Sequence, residues 1–320
     1  MSNFDLKGES ADRFISSAYQ QAEEILKLDI GEANFASELR QLAGLIPELK
    51  KEYRDTNNPN VDYKRADYRR AYVLYYLAPY AAQLAYWIEK FGLEERLESS
   101  QTVILIGTGP SPEMVALEHF FSGKFFYHCV DINTEWQGQI PLTRWNRRSK
   151  PNHEYHFADV SDPNCWERLP IDFSKIDLVV CQNFFNEIPL SKTDAFSQSF
   201  AVLFDSLSKG TELLFSDLSG YHGDRHLRKL QEFWNEHHFI AGDATEIEVH
   251  IPPGKFPNYL GPLKDEQGRE MRYVWRRRRI LTFGRHIIKT GTASAAELSQ
   301  QYTGQFSRLP TKHIPNQGPF

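Results

Sequence analysis

Cysteine is scarce: Cys129, Cys165 and Cys181 are the only three in 320 residues. They are too few and too widely spaced for a disulfide framework or a paired metal knuckle, so free thiols in a reducing compartment are expected. No uninterrupted apolar run approaches the roughly 20 residues that cross a bilayer. The opening residues, MSNFDLKGESADRF, lack the basic and then apolar order of an export signal. Both absences predict a cytoplasmic chain with no membrane partner. There is also no excess of positive charge. A formal net charge of -5 argues against a dedicated nucleic-acid binder, which needs a basic face to neutralise phosphate. The cluster Arg144, Arg147, Arg148 and Lys150 keeps RNA among the alternatives. No internal repeat is present. What remains is ordinary globular composition, 41% hydrophobic and 25% charged, enough for one α/β domain with an appendage.

The chain divides by pattern. From Ala11 to about Glu52, apolar residues recur at helical spacing, with Phe14, Ala18, Ala22 and Ile25 on one face and Leu39, Leu42, Leu45 and Leu49 on another; this predicts two helices. After the turn formers DTNNPNV, Asp67 can cap a long tyrosine-rich helix ending at Gly92, which Pro79 should kink or break. Residues 1–95 thus read as a helical cap on the substrate side. From Thr102, short β-rich runs alternate with amphipathic stretches, the signature of a mostly parallel sheet covered by helices. The candidate strands are Val103 to Ile106, Phe125 to Val130, Glu154 to Phe157, Leu178 to Cys181 and Glu212 to Phe215, with Thr245 to Ile251 and Arg272 to Phe283 as a hairpin at the sheet edge. Helices are expected near Glu113 to Phe121, Asp194 to Leu207 and Asp224 to His237. The ligand-binding domain covers 96–289, and the Gly, Pro, Ser and Gln-rich residues 290–320 read as an extended tail.

The strongest local signal is VILIGTGPSPEMVAL. An apolar strand ends in Gly107-Thr108-Gly109-Pro110 and a helix starts within a few residues, so the backbone can turn sharply and approach a ligand. A dinucleotide fingerprint wants glycine at position 112, where Pro112 stands; this disfavours NAD. Asp131 ends the next strand, 22 residues after Gly109, where a carboxylate accepts from ribose hydroxyls or caps a helix. Asp159 follows the third strand, placed to accept from an adenine amine while Val160 packs on the ring, or to serve as a turn residue.

In order and spacing, these residues and the DLVVCQNFFNEIPL strand resemble the class I S-adenosylmethionine-dependent methyltransferases over roughly Thr102 to Phe283. The resemblance implies a Rossmann-like α/β fold: a seven-stranded, mostly parallel sheet with a reversed final strand, helices on both faces and the helical appendage at the N-terminus. It further implies S-adenosylmethionine as cofactor, with Gly107, Thr108, Gly109 and Pro110 beside the methionine moiety and Asp131 with Ile132 at the ribose. Asp159 with Val160 falls at the adenine, and Asn183 with Phe184 near the sulfonium. The chain departs from the family in having Ile106 where an acidic residue often stands, and Ser111 in place of a third glycine. The GTGPSP turn is also similar to that of nicotianamine synthases, which transfer the aminobutyl group of the same cofactor.

In-line methyl transfer asks the protein to position a nucleophile and sometimes to remove its proton. Glu187 is the candidate base, Asn183 and Asn186 candidate orienting groups, and Tyr76 of the tyrosine-rich helix a candidate hydroxyl or ring near the sulfonium. Helix capping is the plainer role for Asn186 and Glu187, and a packing stripe for the tyrosines. The arginine run Arg276 to Arg279 reads as a solvated edge strand. His222 with His226, and His153 with His156, lack a supporting ligand pattern and read as surface residues, so no metal is expected. The expected activity is methyl transfer to a small molecule or protein side chain. RNA methylation, aminobutyl transfer and a catalytically silent binding protein are the alternatives. The acceptor and the oligomeric state are not encoded in any motif.

Overall fold

A computed structural model describes residues 9–54, 61–90, 93–139, 152–208, 211–218, 226, 229–230, 245–247 and 278–284. The expected tail and the basic cluster at 144–150 lie outside them.

The chain forms an α/β structure in which a mainly parallel sheet is flanked by helices. The strands are β1 (Thr102–Ile106), β2 (Phe126–Asp131), β3 (Asn152–Phe157), β4 (Leu178–Gln182), β5 (Glu212–Leu218), β6 (Thr245–Ile247) and β7 (Arg278–Gly284), in the order β3-β2-β1-β4-β5-β7-β6. The first five run parallel. Two further strands extend the sheet, β7 antiparallel to β5 and the short β6 antiparallel to β7. β7 therefore has a neighbour on each side, so the arginine run does not end in an edge strand; β6 takes that position.

Side chains alternate across the pleat, and each set meets its own layer of helices. On one face Val103, Leu105, Tyr127, Cys129 and Val180 join a core with α1 (Glu9–Ile30), α2 (Phe35–Arg54), α3 (Ala66–Lys90) and α5 (Pro112–Phe121). On the other, Ile104, Ile106, Val130, Val179 and Phe215 pack against α6 (Thr193–Ser206) through Phe196, Phe200 and Phe204. A short helix, α4 (Leu93–Arg96), links α3 to the sheet.

The N-terminal helices share the core of the sheet. α3 is buried along nearly all its length and packs against α1, α2 and α5. This explains why it is apolar all round rather than striped. Of the two outcomes expected at Pro79, a break does not occur: the helix runs from Ala66 to Lys90 through the proline, and packing on every side replaces the lost backbone hydrogen bond as a source of stability. All three cysteines are free and buried. No helix among the described residues is long and apolar enough to cross a membrane.

Candidate functional site at the carboxyl ends of β1 and β4

The strand order reverses between β1 and β4: β2 and β3 lie on one side, β5 on the other. In open α/β sheets the crevice at such a switch point, beyond the carboxyl ends of the strands, is where ligands bind. Here it opens as a cleft of about 550 Å³ including its mouth, walled by Gly107, Asp131, Ile132, Asp159, Val160, Phe184, Glu187 and Lys192 among others.

The turn after β1 has left-handed backbone at alternate residues, Gly107 (φ 63°), Gly109 (φ 47°) and Ser111 (φ 54°). Gly107 has a second constraint. A Cβ there would lie 2.2 Å from Cδ2 and 2.9 Å from Cβ of Phe184, so the glycine admits the chain after β4. Ser111 occupies the position of the missing third glycine, and its hydroxyl meets that of Thr108 at 2.6 Å. Pro112 then starts α5, a position where the absent N–H and fixed φ favour a helix. Thr108 and Pro110 are buried in this turn.

Asp131 organises the turn. Its Oδ2 accepts from the Gly109 N–H at 2.8 Å and its Oδ1 from the Asn133 N–H at 2.8 Å. Burial pushes this carboxyl up to about 6, against the pull of those N–H groups. Next to it Ile132, though large and apolar, is 53% exposed on the cleft wall. Across the cleft Asp159 accepts from the Ser161 N–H and hydroxyl at 2.9 and 2.6 Å and from Lys192 at 3.3 Å. Burial pushes Asp159 upward, but Ser161 and Lys192 together outweigh it and hold the carboxyl below its ordinary value.

The chain leaving β4 is strained. Asn183 is a non-glycine residue at φ 60° and 5% exposed, a conformation that costs of order 1 kcal/mol and clusters at functional sites. Its N–H donates to Ser216, yet neither side-chain amide atom has a hydrogen-bond partner among the described residues. Asn186 is engaged differently: its N–H and side-chain amide donate to the two oxygens of buried Asp217 at 3.0 and 2.8 Å, which fastens the turn to β5. Glu187 accepts from the Tyr63 hydroxyl at 2.9 Å. Burial pushes Glu187 up to about 8; the phenol bond opposes this, and Asp131 and Asp217 reinforce it. Tyr76 lies in α3 with its ring 4.9 Å from that of Tyr72 and 5.2 Å from that of Tyr80. Tyr72 in turn meets Trp136 and Tyr63 at 5.5 and 5.7 Å.

No family model matches the chain, and no curated protein does. Among solved structures it is similar to a Pyrococcus horikoshii protein described as an RNA methyltransferase (15% identity, 65% of this chain and 83% of that one, TM-score 0.40). It is similar too to the arsenic(III) S-adenosylmethionine methyltransferase of Chlamydomonas reinhardtii (14%, 60% and 65%, TM-score 0.38). A third is the precorrin-6y C5,15-methyltransferase of Geobacter metallireducens (15%, 61% and 86%, TM-score 0.37). All three are methyltransferases by name.

Three residues beside the cleft are given no role of their own by the sequence, although Glu113 and Gln182 lie within its motifs. Glu113, in the first turn of α5, is 3% exposed, with Oε2 unpartnered among the described residues. Burial pushes it up to about 8, partly opposed by Gln182 and reinforced by Asp131. Gln182 donates to the Tyr80 carbonyl at 3.2 Å, and its Oε1 has no partner among the described residues. Tyr63 precedes α3 and is held by buried Arg69, which donates to the carbonyls of Tyr63 and Lys64 at 2.6 and 2.9 Å. An acidic residue in a first helical turn usually signals the helix dipole, so nothing local marked Glu113 as buried.

Proposed function

We propose that this chain binds S-adenosylmethionine in the switch-point crevice and catalyses methyl transfer to a nucleophile on a small molecule or protein side chain. The observation that carries the reading is Asn183: buried, backbone-strained and with both side-chain amide atoms unpartnered at the end of β4. Buried polar groups left unpaired cost about 1–3 kcal/mol each, and a ligand that satisfied them would recover it.

The residues present fit this cofactor. Asn183, Gln182 Oε1 and Glu113 Oε2 offer one donor and three acceptors to a methionine amine and carboxylate. In this reading Glu113 brings from α5 the acidic group that Ile106 does not provide. Asp131 offers its carboxylate to the ribose hydroxyls. Ile132 and Val160 offer apolar surface to the adenine, with Asp159 at its rim. Gly107, Thr108, Gly109 and Pro110 shape the wall, and Phe184 closes it against Gly107. When bound, the cofactor supplies a methyl group on a positively charged sulfur and leaves as S-adenosylhomocysteine.

Glu187 faces the same crevice, where its ionised form takes the proton released by the nucleophile. Tyr63 orients that carboxylate, and Arg69 holds Tyr63. Asn186 acts through Asp217, keeping the turn that carries Glu187 in place. Tyr72, Tyr76 and Trp136 form the aromatic wall behind Tyr63, which excludes water from the acceptor side and offers ring faces to positive charge.

The test is calorimetric titration of the full chain with S-adenosylhomocysteine, with NAD as control. Micromolar binding of the first alone is expected, weakened tenfold or more in Asn183→Ala and Glu113→Gln. Binding of NAD, or unaltered affinity in both variants, would overturn the assignment. Product analysis with an acceptor mixture separates methyl transfer, which releases S-adenosylhomocysteine, from aminobutyl transfer, which releases methylthioadenosine.

A further inference from the structure

Strand register brings His128 of β2 beside Glu154 and His156 of β3, a pair that lies more than 20 residues further along the chain. β2 and β3 are parallel with His128 opposite Glu154 and Val130 opposite His156. Because alternate residues share a face, His128, Glu154 and His156 emerge on the same side of the sheet. His128 and His156 are buried, 8% and 7% exposed, and Glu154 reaches them from the rim. The two ring nitrogens, Nδ1 of His128 and Nε2 of His156, lie 2.9 Å apart. Glu154 Oε2 is 3.8 Å from each. His156 thus belongs with His128 rather than with His153, and it is no surface residue.

We infer that His128, Glu154 and His156 form a binding site for a divalent first-row transition ion, zinc above all, that fastens edge strand β3 to β2. A triangle with sides of 2.9, 3.8 and 3.8 Å has its centre about 2.1 Å from every corner, the length of zinc–nitrogen and zinc–carboxylate bonds. The donor set, two imidazoles and one carboxylate, is one that zinc takes with a further position left for water. A metal takes the imidazole lone pairs free of protons, and Nδ1 of His128 and Nε2 of His156 both face the point between the three groups. A hydrogen bond between the two rings would use one of those lone pairs and leave the carboxylate outside it; the ion engages all three groups.

The site is separate from the proposed cofactor crevice. His128 precedes Asp131 by three residues, roughly 10 Å along a strand. β3 is an edge strand in the sheet order, and an edge with open backbone groups needs protection or reinforcement. A clip across β2 and β3 supplies reinforcement at that edge.

The experiment uses the full chain stripped with chelator and dialysed, titrated with Co2+ for visible ligand-field absorption and with Zn2+ by calorimetry. One equivalent should bind with the intense bands of four-coordinate cobalt, displaced by zinc, and should raise the melting temperature. Glu154→Gln, at a half-exposed carboxylate where folding is not at stake, should weaken binding tenfold or more, and His128→Asn with His156→Asn should abolish it. No saturable binding by the parent chain, or equal binding by parent and Glu154→Gln, would overturn the site, whether or not the histidine variants fold. Titration with S-adenosylhomocysteine is a separate readout, so the two proposals fail independently.

Discussion

In the proposed reaction Glu187 and Tyr63 act as a single acid–base unit. The base works as the carboxylate, and burial sets its pKa at about 8, so turnover should rise with pH through that value. The Tyr63 hydroxyl donates to Glu187 and holds this pKa down. Tyr63→Phe should therefore move the midpoint of the pH–rate curve to higher pH. Glu187→Gln should cut turnover about a hundredfold with S-adenosylhomocysteine affinity retained. A midpoint unmoved in Tyr63→Phe would detach the phenol from the chemistry. Glu187 was singled out by its place after the fourth strand, and it lines the cleft. Tyr63 was not, because it sits in a short aperiodic segment before α3, joined to Glu187 across 124 residues. The histidine cluster was hidden for a related reason: strand alternation can be read along one segment, whereas the register that sets His128 against Glu154 belongs to two.

At the scale of elements, the turn after β1 and the chain after β4 fit by removing atoms from one to make room for the other. Gly107→Ala would set a Cβ against both the ring and the Cβ of Phe184, and no rotation about χ1 of Phe184 relieves the second contact. With the cost of a left-handed alanine added, the expected loss is about 1–3 kcal/mol of stability, measured by denaturant unfolding. Gly109→Ala provides the contrast, since its nearest neighbour would be Trp136 at 3.9 Å and only the backbone term acts. Equal losses in the two would refute the close-approach argument. The strands themselves were readable to within about two residues where burial is two-sided, as in TVILI and LVVCQ. Pro79 does not end the helix because local chemistry is overruled where a helix is packed on all sides.

For the whole molecule, the notable quantity is the set of protons held at the crevice. Glu113 and Glu187 are raised from 4.5 to about 8 and Asp131 from 3.8 to about 6, each mainly by burial. The folded state therefore holds protons that the unfolded chain has released, and the sign of the linkage follows: stability is greatest below the unfolded values and declines as pH rises through about 6 and then about 8. Thermal melts of the ligand-free chain should show the melting temperature falling from about pH 5 to above pH 8. Glu113→Gln should flatten the later part of that decline. A flat profile in the parent chain would mean that these carboxyls are hydrated rather than buried.

The burial of α3 against the same sheet face that α5 covers has a consequence for how such a protein can diversify. Tyr72 and Tyr76, which face the proposed acceptor side, are also core residues beneath the sheet. In the proposed reading a new acceptor preference cannot arrive by exchanging a detachable module, because excising residues 9–90 would leave α5 alone to cover that face of β1, β2 and β4. Change on that side has to come one side chain at a time, each compatible with the packing that keeps the chain folded.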